Sequence, residues 1–187
     1  PPFLNNFRGF RVSLDEISLN AGQQIPSKAR GHVAVHVEQP QMFVGMAQMF
    51  IPDLSGLEIA PGNPPVAIPE TLIPVPGAVA FAAMTNDAIG MSLGAGEEDT
   101  LEAFLKRDDV STGTFLSADY DMAAYLDYTS RLEDSYRSDD MEGNANDAIT
   151  AIAQAASDVV QKTSDRSRTE MKFTPDGLVI EGRMTFK

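Results

Sequence analysis

The chain has 187 residues, with 14 Lys and Arg against 27 Asp and Glu, a formal net charge of −13. The absence of cysteine excludes disulfides, thiolate metal sites and cysteine nucleophiles, and the acidic balance argues against nucleic acid or an anionic membrane surface as partner. Hydrophobic residues make up 43%, enough for one sizeable core and too many for a disordered chain, so a single domain over 1–187 is expected.

The chain opens Pro1-Pro2-Phe3, without an initiator Met, a basic leader region or an apolar leader segment, which predicts a processed product or a cut from a longer protein. No stretch approaches the roughly 20 apolar residues that a membrane helix needs. The missing start and the acidic, lysine-poor composition point to an exported, periplasmic protein, with the cytoplasm as the alternative. Phe10, Val12 and Leu14 alternate with Arg11, Ser13 and Asp15, the period of a half-buried strand. From Gly31, Val33, Val35 and Val37 face one way and His32, Ala34 and His36 the other. Pro40 suits a helix start, and Met42, Phe43, Met46, Ala47, Met49 and Phe50 give a helix an apolar stripe before Pro52 ends it.

Residues 52–77 hold seven prolines, which forbid a helix or a central strand, yet Val66, Ile68, Leu72, Ile73 and Val75 are too apolar for a solvated linker. An extended, proline-rich arm that buries these side chains is expected. Ala78–Met84 and Ile89–Leu93 read as a hairpin joined at Thr85-Asn86-Asp87-Ala88. Glu97, Glu98 and Asp99 suit a helix N-terminus, and Leu101, Phe104 and Leu105 give that helix its buried face. Thr114 to Ala118 reads as a strand, with Asp119 or Asp121 capping a helix whose Met122, Tyr125, Leu126 and Leu132 point inward. Ser138–Asn146 is a polar loop, and a further helix carries Ile149, Ile152, Ala153, Ala156 and Val160. Thr169–Thr174, the turn Pro175-Asp176-Gly177 and Leu178–Phe186 form a closing hairpin.

The two hairpins align in residue type, Met84-Thr85-Asn86-Asp87-Ala88-Ile89 against Phe173-Thr174-Pro175-Asp176-Gly177-Leu178. Gly31–Met42 likewise resembles Gly113–Met122, which suggests two β-α-β-β units as pseudo-repeats over 30–107 and 113–187. The fold expected is α+β: an antiparallel-rich sheet with helices mainly on one face. The hairpin at 78–93 and the segment 113–187 resemble uncharacterised exported bacterial proteins with recurring β-hairpins. That resemblance implies no activity and no functional residue.

Gly90-Met91-Ser92-Leu93-Gly94 matches the G-x-S-x-G pattern, but the elbow needs a strand before the serine and a helix directly after it, and here Ser92 falls inside a strand. Gly94-Ala95-Gly96 precedes a helix start already filled by acidic residues, which disfavours a phosphate. His32 and His36 on one strand stand roughly 13 Å apart, too far to share an ion. The loop Asp139–Asp147 is rich in hard oxygen ligands but lacks the glycine and bidentate glutamate of a calcium loop. Asp119 and Asp121, near Tyr120, Tyr125 and Tyr128, form the best carboxylate–phenol cluster for acid–base work. No catalytic, metal or cofactor site is expected from these patterns.

The leading expectation is a non-catalytic interaction or structural module of an exported protein. Its partner would be another protein chain, or a second copy, held by the arm residues Val66, Ile68, Leu72, Ile73 and Val75 and the sheet's open face. The alternatives are a hydrolase using Ser92 or Asp119/Asp121, and a carrier holding a hydrophobic ligand under the Met-rich helix.

Overall fold

The computed structural model describes residues 6–18, 25–106, 114–136, 155–156 and 158–187. Its strands are β1 (Phe7–Ser18), β2 (Lys28–Val37), β3 (Val66–Ala67), β4 (Ala80–Met84), β5 (Ala88–Leu93), β6 (Thr114–Asp121), β7 (Ser164–Thr174) and β8 (Gly177–Phe186). They form one sheet in the order β3-β4-β5-β2-β1-β6-β7-β8. Each neighbouring pair is antiparallel except β1–β6, which is parallel. Among the described residues the α-helices named here are α1 (Pro40–Phe50), α2 (Glu98–Leu105) and α3 (Met122–Tyr136), and residues 158–163 are also helical. The protein is thus α+β and mostly antiparallel, and among the described residues no helix is long and apolar enough to cross a membrane.

The register assigns each side chain to a face. Arg11, Ser13, His32, Ala34, Ala88, Gly90 and Ser92 share one face, and Val12, Val33, Val35, Ile89 and Met91 share the other. On the first face the small side chains of Ala34, Ala83 and Ala88 let α2 come close, with Leu101, Phe104 and Leu105 buried against them. Gly90 has a specific reason to lack a side chain: a Cβ there would stand 2.5 Å from Leu105 Cδ2. Arg11 fastens the other end of α2, donating from Nη1 to the Phe104 carbonyl at 2.7 Å, where a cation complements the negative end of the helix.

The opposite face at β2, β4 and β5 is covered by α1 and the proline-rich arm. There Phe43, Val44 and Ala47 of α1 and Ile68 and Leu72 of the arm share a cavity wall with Val33, Val35 and Met91. On this face too, Tyr125 of α3 packs on Tyr120 at 4.9 Å between ring centroids. Helices therefore stand on both faces, α1 and α3 on one and α2 on the other. The cause is that the β4–β5–β2 region presents non-polar surface both ways, small on one side and branched on the other, and each needs a cover.

The two β-α-β-β units also wind differently. In the first, β5, the second strand of its hairpin, lies beside β2; in the second, β7, the first strand of its hairpin, lies beside β6. The calcium-loop pattern at 139–147 and the helix residues Ile149, Ile152 and Ala153 lie outside the described residues.

Candidate functional site

The buried side of β1 is its polar side. Arg11 and Ser13 are buried, whereas Phe10, Val12 and Leu14 are only half-covered, the reverse of what the alternation alone suggests. Beside α2 these polar rows of β1 and β2, continued by β6 and β7, wall a cleft of about 640 Å³. Its charged residues are Asp15, Glu97, Asp119 and Asp121 against Arg30 and Arg166, with His32 among them.

Backbone irregularities aim these groups. The β1–β2 register slips between Leu14 and Glu16, so Asp15 is the extra residue of a bulge, the usual device for redirecting a side chain. Gly31 lies opposite Leu14, where a Cβ would meet the Ser13 carbonyl oxygen at 2.1 Å, so the two strands close together there only around a glycine. At Gly94 a Cβ would stand 2.8 Å from Arg30 Cγ, and φ is +116°; the missing side chain leaves room for Arg30 to lie beside Glu97.

His32 is only 7% exposed, and its ring stacks on Phe104 with centroids 5.0 Å apart. Its Nε2 lies 2.7 Å from Thr100 Oγ1 and 3.2 Å from Glu97 Oε2, while Asp15 Oδ2 stands 4.0 Å from Nδ1. Arg166 crosses from β7 and donates to Asp119 Oδ1 at 2.5 Å, Asp15 Oδ1 at 2.6 Å and Ser13 Oγ at 3.2 Å. Burial opposes its charge, but the hydrogen bonds and charges of Asp15 and Asp119 outweigh that cost and raise its pKa further. Arg166 is therefore a fixed cation stapling β1, β6 and β7 together.

Among the described residues, Asp15, His32 and Glu97 offer the grouping with metal-ligand atoms, all within 4.8 Å of one another. Glu97 Oε2 lies against the imidazole Nε2 at 3.2 Å, and Asp15 Oδ2 is farther, 4.0 Å from Nδ1. Arg166 and Arg30 also hold oxygens of the same carboxylates. An ion here would have to displace these two guanidinium groups and the Thr100 hydroxyl beside His32.

The residues singled out in the sequence are dispersed. Asp119 lines the cleft bound to Arg166, and Asp121 lines it while its Oδ1 accepts the Ala124 N–H and caps α3. Ser92 is fully buried inside β5 opposite His32, and its Oγ has no hydrogen-bond partner. It is a packed residue beneath α2 and not an exposed nucleophile. His36 lies outside the cleft; burial first, then the charge of Arg11, lowers its pKa against the opposing pull of Asp87. In the arm, Val75 is buried, Val66, Ile68 and Ile73 are half-buried and Leu72 is 36% exposed. Ile68 and Leu72 close an apolar cavity of about 390 Å³ on the protein's own sheet.

The sequence reading missed Asp15, Arg30, Glu97, Thr100 and Arg166 as a group. One signal was present: Arg11, Ser13 and Asp15 alternate along one strand. Compared with known families, curated proteins and solved structures, the chain matches none.

Proposed function

We propose that the protein is a non-catalytic binding module whose cleft beside α2 takes a small polar cation, such as an organic amine. The observation that carries this is the charge in the cleft: four carboxylates against two guanidinium groups around about 640 Å³. Low-dielectric walls focus that field, and the chain's charge of −13 draws cations towards it.

The hydroxyl of Thr100 beside His32 invites a nucleophilic reading, but two features speak against it. That hydroxyl bonds back to the Glu97 carbonyl at 3.0 Å, and Glu97 Oε2 competes for the same imidazole nitrogen. Burial of Ser92 and the pairing of Asp119 with Arg166 likewise weigh against a hydrolase built on either. The composition and the resemblance support an exported location for this module.

Calorimetric titration with 1,4-diaminobutane tests the reading. Binding is expected, weakened about tenfold by Asp121→Asn or Glu97→Gln, as the loss of one charge contact of roughly 1.4 kcal/mol implies. Absence of heat with the diamine, or binding of phosphate in its place, overturns it. A second reading, a carrier for a hydrophobic ligand, is favoured by the nearly all-apolar walls of the second cavity, whose polar lining residue Gln48 donates to the Leu54 and Leu57 carbonyls.

A further inference from the structure

Strand β8 ends the sheet, and among the described residues nothing pairs with its outer edge. Edge strands are ordinarily protected by charged side chains, lysine above all, by proline, by bulges or by shortness, and the charges on β8 are two of opposite sign, Glu181 and Arg183. Gly177–Phe186 is ten residues long and contains neither lysine nor proline. Its even-numbered side chains lie on one face and are exposed, with Ile180 at 58% and Phe186 at 68%.

The register also fixes which backbone groups face outward. Thr174 and Gly177 close a two-residue turn and form a hydrogen-bonded pair, so the odd positions of β8 point their N–H and C=O groups at β7. The even positions point theirs outward. An antiparallel partner must therefore pair even residues with even residues. A two-fold axis at Gly182 does this and sets Ile180 against the second copy's Met184, and Leu178 against its Phe186. On the other face it sets Glu181 opposite Arg183, twice. Shifting the axis to Glu181 or Arg183 would instead oppose like charges.

Arg183 makes no ion pair among the described residues and faces Arg168 across β7, so within the monomer its nearest strand neighbour carries the same charge. We propose that two copies of this chain associate by antiparallel pairing of β8 about Gly182, joining their sheets edge to edge. Glu181 pairs with Lys172 at 2.8 Å within the chain through Oε2, and across the axis it also meets the second copy's Arg183. That charge complementarity selects a second copy over an unrelated strand, and offsets locally the repulsion between two acidic chains.

Light scattering of the full chain as concentration rises into the millimolar range should show mass moving from one chain to two. Glu181→Arg and Arg183→Glu should each weaken the dimer about tenfold. An equimolar mixture of the two variants should recover it, because each then supplies the charge that the other lacks. Ile180→Pro removes an outward N–H and should give a monomer, with its circular dichroism melt reporting that the fold persists. A chain that stays monomeric throughout overturns the proposal. So does a dimer that the charge variants leave unchanged, or one that their mixture fails to restore.

Discussion

At the scale of single residues, a polar side chain here is positioned by what packs over it. His36 shares a strand face with His32, yet its Nε2 is buried without a hydrogen-bond partner and Arg11 adds a nearby positive charge. Its pKa in the folded state lies below the ordinary 6.5. The unfolded chain therefore binds the proton first as pH falls. Stability attributable to His36 is complete above about pH 6.5 and is lost as pH drops from there through the folded value. Thermal melts between pH 7.5 and pH 5 should show a falling midpoint, and His36→Gln should flatten that part of the profile. An equal slope in the variant assigns the effect to the carboxylates.

Between elements, the decisive contact is that of α2 with the sheet. Arg11 bonds its last turn, Phe104 meets both the Arg11 guanidinium at 5.5 Å and the His32 ring, and Leu101 and Leu105 press on Gly90. Gly90→Ala places a methyl 2.5 Å from a leucine carbon, so Leu105 or the helix must move. Chemical denaturation should show a loss of about 1–3 kcal/mol, the usual cost of overpacking a filled core. Because α2 carries Thr100 into the cleft and Glu97 is its N-cap residue there, the same substitution should weaken diamine binding.

Over the whole molecule, the sheet separates two environments. One face carries the charged cleft beside α2; the other is apolar, covered by α1 and the arm at one end and exposed at β8. The arm is a lid on the protein's own surface, and a protein partner would meet the outer side of that lid. Deleting residues 61–76 should open the wall at Ala82, Ile89 and Met91, raise the fluorescence of an apolar dye and lower the melting midpoint. An unchanged melt and unchanged dye signal would show that the arm contributes no cover. The deletion leaves β8 intact, so the oligomeric state should not change with it.

The sequence by itself determined the local elements. Pro40 and Pro52 bracket α1, the acidic start and the Leu101, Phe104, Leu105 spacing mark α2, and both hairpins fall where turn residues separate apolar alternation. These are short-range preferences of backbone and side chain, legible in a few neighbouring residues. Strand order, the parallel β1–β6 pair and the opposite placement of α1 and α2 depend on which surfaces meet over long separations. The cleft depends on that most of all: Asp15 meets Arg166 across 151 positions, and His32 meets Thr100 across 68. Periodicity assigns a polar row to solvent by default. Only the docking of α2 on small residues beside that row turned it inward, where hydrogen bonds and opposed charges replace the water it would otherwise need.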